Sequence, residues 1–284
     1  MSILMLGDSH TDIFTFMNVN RFDLSQCNLV LFTLKRFLDD TDRDLWDKLT
    51  PWFESNKADV LVITAGEIDI RAHFWKHIPR NFKQKEDINR YVENSVQNFY
   101  SKLSRLIEIY KIKKIVVWGS PVSGEKAFYN SVYPFVGSSK TRNILTHLWN
   151  REFIKIIENN ANISFCSAFY NFINDNYETS TDAPSHDGVH WISTMGPAFW
   201  QDYIMKAIDN NGIYVSGKFD KLLNDSFDTF EFVSNGQFQY DTWVKSDVFD
   251  PDTINIKNIP YRFFKADQRN LLPEKYIELG LDKK

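Results

Sequence analysis

The sequence predicts a doubly wound α/β fold: a parallel sheet of about five strands with helices on both faces, followed by an aromatic-rich C-terminal extension. Short, almost continuously apolar runs bounded by turn residues recur along the chain, as strands buried on both faces require. Between them lie longer segments whose apolar residues return every three or four positions, the spacing of amphipathic helices. After about residue 210 this alternation stops and short aromatic runs take its place.

In chain order, Ser2-Ile-Leu-Met-Leu6, closed by Gly7, is the first strand. Thr11 to Val19 is too short to assign to helix or loop. Asn28-Leu-Val-Leu-Phe-Thr33 is the second expected strand. Leu45, Trp46, Leu49, Trp52 and Phe53 form a helical face between Asp40 and Asn56, which Pro51 is expected to divide in two. Asp59-Val-Leu-Val-Ile-Thr-Ala65, ending at Gly66, is the third strand, and Lys114-Ile-Val-Val-Trp118, again before a Gly, is the fourth. Between them Ile88, Val92, Val96, Phe99, Leu103, Leu106 and Tyr110 mark a helix over 86–110. Leu145, Leu148, Trp149, Phe153 and Ile157 mark another over 139–158. Ile163-Ser-Phe-Cys-Ser167 is the fifth strand, and a helix from about Gly196 to Ile208 closes the repeating part. The expected division is an α/β domain over 1–210 and an extension over 211–284, packed on it as short strands or irregular structure.

The chain has 284 residues, 43% hydrophobic and 25% charged, ordinary values for a globular protein able to bury a sizeable core. Aromatics reach 15%, enough to fill a core and also to offer stacking surfaces for a sugar. A net charge of −4 and the absence of a basic stripe exclude general affinity for nucleic acid. Lys111-Ile-Lys-Lys114 reads as the solvated end of a helix. Cys27 and Cys166 make neither a disulfide framework nor a zinc site and read as buried thiols. The first strand begins at once, and no run approaches the roughly 18 apolar residues of a membrane helix. A cytoplasmic location is therefore the default expectation, with no membrane insertion, no cofactor and no metal.

Chemistry concentrates at Gly7-Asp8-Ser9-His10, where the first strand leaves the sheet; ligands of open α/β sheets collect at such strand ends. A serine hydroxyl needs a base to become a nucleophile. About 180 residues later Asp187-Gly188-Val189-His190-Trp191 offers one, with Asp187 three residues from His190. The plainer alternative is that Ser9 caps a helix while Asp187 and His190 make a surface turn.

The GDS block after the first strand, with DxxH before the last helix, resembles the SGNH (GDSL-type) hydrolase superfamily. The resemblance covers roughly residues 2–208 and implies a flavodoxin-like sheet and an ester hydrolase without a cofactor. It further implies a triad of Ser9 as nucleophile, His190 as proton shuttle and Asp187 as its orienting carboxylate. Two family features are missing: no Gly occurs between Gly7 and Gly66, and Ile68 stands where the third block has its oxyanion-binding Asn. Arg71, with the Ser9 backbone N–H, is one substitute donor; a structural pair of Arg71 with Glu67 or Asp69 is the other reading. Asp8, His10, Gly66, Glu67, Asp69 and Trp191 complete the set of oxyanion- or substrate-binding candidates.

The expected substrate is a small-molecule or glycan ester. An O-acyltransferase with the same triad and a non-catalytic glycan-binding protein are the alternatives. Asp8-x-His10 with Gly66-Glu67-Ile68-Asp69-Ile70-Arg71 also faintly resembles metallophosphoesterase blocks, but Glu67 replaces an Asp and a further block is absent.

Overall fold

A computed structural model describes residues 1–8, 10–11, 23–28, 32–74, 85–124, 138–180, 183, 197–209, 212–215 and 262–265. Strands β1 (Ser2–Gly7), β2 (Asp23–Asn28), β3 (Val60–Thr64), β4 (Lys114–Trp118), β5 (Ile163–Ser167), β6 (Ile213–Val215) and β7 (Arg262–Lys265) form one sheet in the order β6-β5-β4-β3-β1-β2-β7. All neighbours are parallel except β7, which runs antiparallel to β2. The inner order 2-1-3-4-5 is flavodoxin-like, with its topological switch at β1 and β3. β6 and β7, the two described pieces of the stretch expected as an extension, add a strand at each edge of this sheet.

Every residue of β3, β4 and β5 is buried, so both faces of the sheet are covered. The register shows what covers them. Trp118 pairs with Cys166, so both point to one face, and Phe165, one residue earlier, points to the other. Phe165 meets Phe153 of α4 (Ser139–Ile157), with ring centroids 5.7–5.9 Å apart along the series Phe99, Phe153, Phe165. Trp118 meets Tyr203 of α5 (Pro197–Asp209) at 5.9 Å on the opposite side. Phe99 belongs to α3 (Lys85–Tyr110), which packs along α4. The expected helical face of α3 is its buried face, from Ile88 through Leu106, with Tyr110 half-buried at its end.

Two local expectations are corrected. The described second strand is Asp23–Asn28; of the expected Asn28–Thr33, residues 29–31 lie outside the described residues and Phe32 and Thr33 are not in a strand. Phe32 instead packs edge-on against Phe37 of the short helix α1 (Leu34–Leu38), and Thr33 caps that helix, its Oγ1 accepting from Arg36 N at 3.1 Å. Pro51 does not divide its helix: α2 runs unbroken over Arg43–Ser55. The proline ring lies on the exposed face, as does Asp47, whose carbonyl has no donor from residue 51. Helix α4 buries polar residues as well as its expected apolar face, because residues 169–180 cover it. Asn143 accepts from Ser123 N and donates to Tyr177 O, both at 2.8 Å, and His147 Nδ1 lies 3.1 Å from Tyr170 Oη.

Cys166 is a buried free thiol, pushed well up from its ordinary pKa by that burial. Cys27 lies in β2. Among the described residues no helix is long and apolar enough to cross a membrane.

Candidate functional site

The carboxyl ends of β1, β3 and β4 converge on a crevice lined by Asp8, His10, Thr64, Glu67, Gly119 and Ser120, among others. Gly7 pairs with Thr64 across β1 and β3. A Cβ on Gly7 would overlap the Thr64 hydroxyl and come within 2.7 Å of Thr64 O and of Thr11 Cγ2. Only glycine allows the two strand ends to approach so closely.

Immediately after Gly7 the chain turns on the Asp8 side chain, which is 2% exposed in its residue total. Asp8 Oδ1 accepts from His10 N at 2.9 Å and lies 2.8 Å from His10 Nδ1. The Asp8 carbonyl accepts from Thr11 N at 3.1 Å and Thr11 Oγ1 at 2.9 Å. A carboxylate only accepts, so the imidazole carries its proton on Nδ1. Asp8 thus holds His10 in a fixed orientation at the crevice wall, by the side-chain turn chemistry typical of Asp.

After β3, Gly66 adopts φ +111°, a conformation that L side chains rarely take, and the chain enters a short helix with one π turn at Asp69–His73. Two interleaved i,i+4 pairs brace it. Arg71 Nε donates to Glu67 Oε1 at 2.6 Å and Nη2 to Oε2 at 3.1 Å, a bidentate pair with both residues buried. Asp69 Oδ1 lies 3.1 Å from His73 Nδ1. The same carboxylate accepts from Leu34 N at 2.6 Å and Lys35 N at 3.1 Å, tying α1 to this helix.

These contacts sort the expected site residues. Asp8, His10 and Glu67 meet at the crevice. Gly66 and Asp69 line an adjoining cavity instead. Arg71 is not among the residues lining either space; its guanidinium edge is directed to Glu67, as the salt-bridge alternative has it. Ile68 is buried. Ser9, Asp187, His190 and Trp191 lie outside the described residues.

Sequence reasoning missed Thr64 and Ser120. Thr64 is buried, and among the described residues its Oγ1 has no hydrogen-bond partner. Ser120 Oγ donates to Ala65 O across a long 3.4 Å. The signal was available: Gly119-Ser120 directly follows β4, the same strand-end position that singled out Gly7-Asp8 and Gly66-Glu67. Gly119 is constrained in its turn, since a Cβ there would stand 2.7 Å from Ser167 Oγ. No group of three or more His, Cys, Asp and Glu side chains suited to a metal is gathered among the described residues.

No family profile and no curated protein matches the chain. Among solved structures it is similar to a candidate platelet activating factor from Streptococcus pneumonia, at 16% identity over 74% of this chain and 83% of that one, with a TM-score of 0.46. It is also similar to a GDSL-like lipase from Bacteroides thetaiotaomicron, at 17% identity over 74% of this chain and 88% of that one, TM-score 0.43. A lipase from a goat rumen metagenome aligns at 15% identity over 74% of this chain and 95% of that one, TM-score 0.43. These likenesses assign no residue a role in this chain.

Proposed function

We propose that the chain is a serine-dependent ester hydrolase acting on a small-molecule or carbohydrate ester. Ser9 attacks the ester carbonyl while His190 takes its proton and Asp187 stabilises the resulting imidazolium. His190 returns the proton to the departing alcohol; water, deprotonated in the same way, then attacks the acyl-serine and releases the carboxylic acid. The observation that carries this reading is the crevice at the β1/β3 switch point, lined by Asp8 and His10, the two sequence neighbours of Ser9. The Thr64 hydroxyl, and the Ser120 hydroxyl on leaving its long 3.4 Å bond to Ala65 O, supply polar hydrogens at its wall, taking the place of the family's Asn in stabilising the oxyanion.

Hydrolysis of p-nitrophenyl esters by the wild type and by Ser9→Ala tests the reading. Wild-type turnover that disappears in Ser9→Ala supports it; equal rates in both remove it. Adding sugar acceptors separates hydrolysis from O-acyl transfer, which would use the same triad and a sugar hydroxyl in place of water. One observation favours a second reading, a non-catalytic glycan-binding protein: Ile68, in the place of the family's Asn, has no side-chain donor, and the Nε and Nη2 groups of Arg71 are taken up by Glu67. Glycan binding undiminished in Ser9→Ala, without ester turnover in the wild type, would establish that reading.

A further inference from the structure

Beside the crevice lies a cavity of about 540 Å³ bounded by α1, the 66–74 helix, α3 and α4. We propose that it receives the acyl chain of the substrate, so that the preferred ester carries an unbranched acyl group of about six to ten carbons, a size suited to cavities of roughly 300–1,000 Å³. This rests on the ester-hydrolase reading and sharpens its substrate class.

Continuity is the first support. Ala65 and Ser120, at the ends of β3 and β4, line both spaces, so a group attached to a carbonyl held in the crevice continues into the cavity. The crevice itself measures only about 10 Å³, room for a single water-sized group, and the body of any substrate must lie elsewhere.

The second support is the distribution of polarity. Leu34, Phe74, Val92 and Leu145 are buried side chains on the cavity wall, and Phe74 packs edge-on against Tyr91 at 5.3 Å. The exposed lining residues are polar: Lys35, Asn94 and Asn98. An apolar chain matches the four buried side chains; the lining also carries polar donors, among them Ser95 and the Trp149 Nε1–H, which has no hydrogen-bond partner among the described residues.

Asp69 is the one carboxylate on the wall, and its oxygens already accept from Leu34 N, Lys35 N and His73. It braces the wall and presents no unsatisfied charge to an apolar guest. Tyr91 remains a neutral phenol, its pKa pushed up to about 12 by burial and by the Asp69 charge.

The test uses p-nitrophenyl acetate, butyrate and octanoate with the full-length wild type, Ile70→Trp and Ser95→Phe. Both substitutions add bulk to the cavity wall; Ser95 is half-exposed on α3 and remains informative if Ile70→Trp does not fold. Burial of each methylene strengthens transition-state binding by up to about fourfold. The expected result is a wild-type kcat/KM that rises from acetate to octanoate, and an octanoate-to-acetate ratio at least tenfold lower in the filled variants. A wild type that prefers acetate or a sugar acetate, or a ratio within twofold of wild type in the filled variants, overturns the proposal.

Decanoate binding, measured by calorimetry on Ser9→Ala, separates this failure from that of the hydrolase reading. If the wild type turns over no ester, that reading fails. Decanoate binding that is lost in Ser9→Ala/Ser95→Phe would still support the apolar-chain site, and absence of decanoate binding would overturn it.

Discussion

The Glu67–Arg71 pair distinguishes a structural brace from a catalytic donor. Both residues are buried, and the guanidinium meets the carboxylate through two hydrogen bonds of 2.6 and 3.1 Å. Arg71→Met leaves the Glu67 carboxylate buried without its cation, a loss of about 3–5 kcal/mol. For a domain of this size, at roughly 2–4 °C per kcal/mol, the melting temperature should fall by about 6–20 °C. The double variant Glu67→Gln/Arg71→Met removes both charges and should recover most of that loss, because an uncompensated ion costs more than an absent pair. Thermal melts of the two single variants and the double variant measure the coupling, and p-nitrophenyl ester turnover by the folded double variant measures the catalytic share. If Arg71 is a brace, the double variant retains turnover within a few-fold. A folded double variant whose kcat falls by about 100- to 1,000-fold, where Glu67→Gln alone leaves kcat unchanged, would identify Arg71 as an oxyanion donor and refute the brace.

Other perturbations reach separate parts of the structure. Gly7→Ala places a methyl group against Thr64 O and the Thr64 hydroxyl and should destabilise by at least about 1–3 kcal/mol; an unchanged urea midpoint would contradict the packing of β1 on β3. Ser120→Ala should lower kcat by about 100-fold with little change in melting temperature, and unchanged turnover would remove Ser120 from the oxyanion site. Lys113 and the Ser2 N–H hold the Asp59 carboxyl down at about 2 from 3.8. Its contribution to stability is therefore present above about pH 4 and lost as pH falls towards 2. Asp59→Asn should flatten that part of the acid-melting profile; an unaltered slope would show that the pair has no such effect.

The sheet was legible where burial is uniform. β3, β4 and β5 are continuous apolar runs because both faces are covered, and composition alone reveals them. β2 was not legible: Asp23-Leu-Ser-Gln-Cys-Asn28 is largely polar, and its pairing to β1 and β7 depends on residues far away in sequence. Pro51 was misread because sequence alone does not reveal that its ring faces water. At the site, the strand-end rule found Asp8, His10 and Glu67, and the i,i+4 spacing made a Glu67–Arg71 pair foreseeable. The cavity was invisible to the same reasoning. Its walls come from five segments, and Asn94 and Asn98 lie off the apolar repeat of a long helix.

The central claim, that Ser9 is the nucleophile, is tested most directly by covalent labelling. A fluorophosphonate probe should add once per chain, with the adduct mapped by peptide mass spectrometry to Ser9 and lost in Ser9→Ala and His190→Ala. An unlabelled folded wild type, or an adduct on another residue with Ser9 unmodified, would contradict the claim.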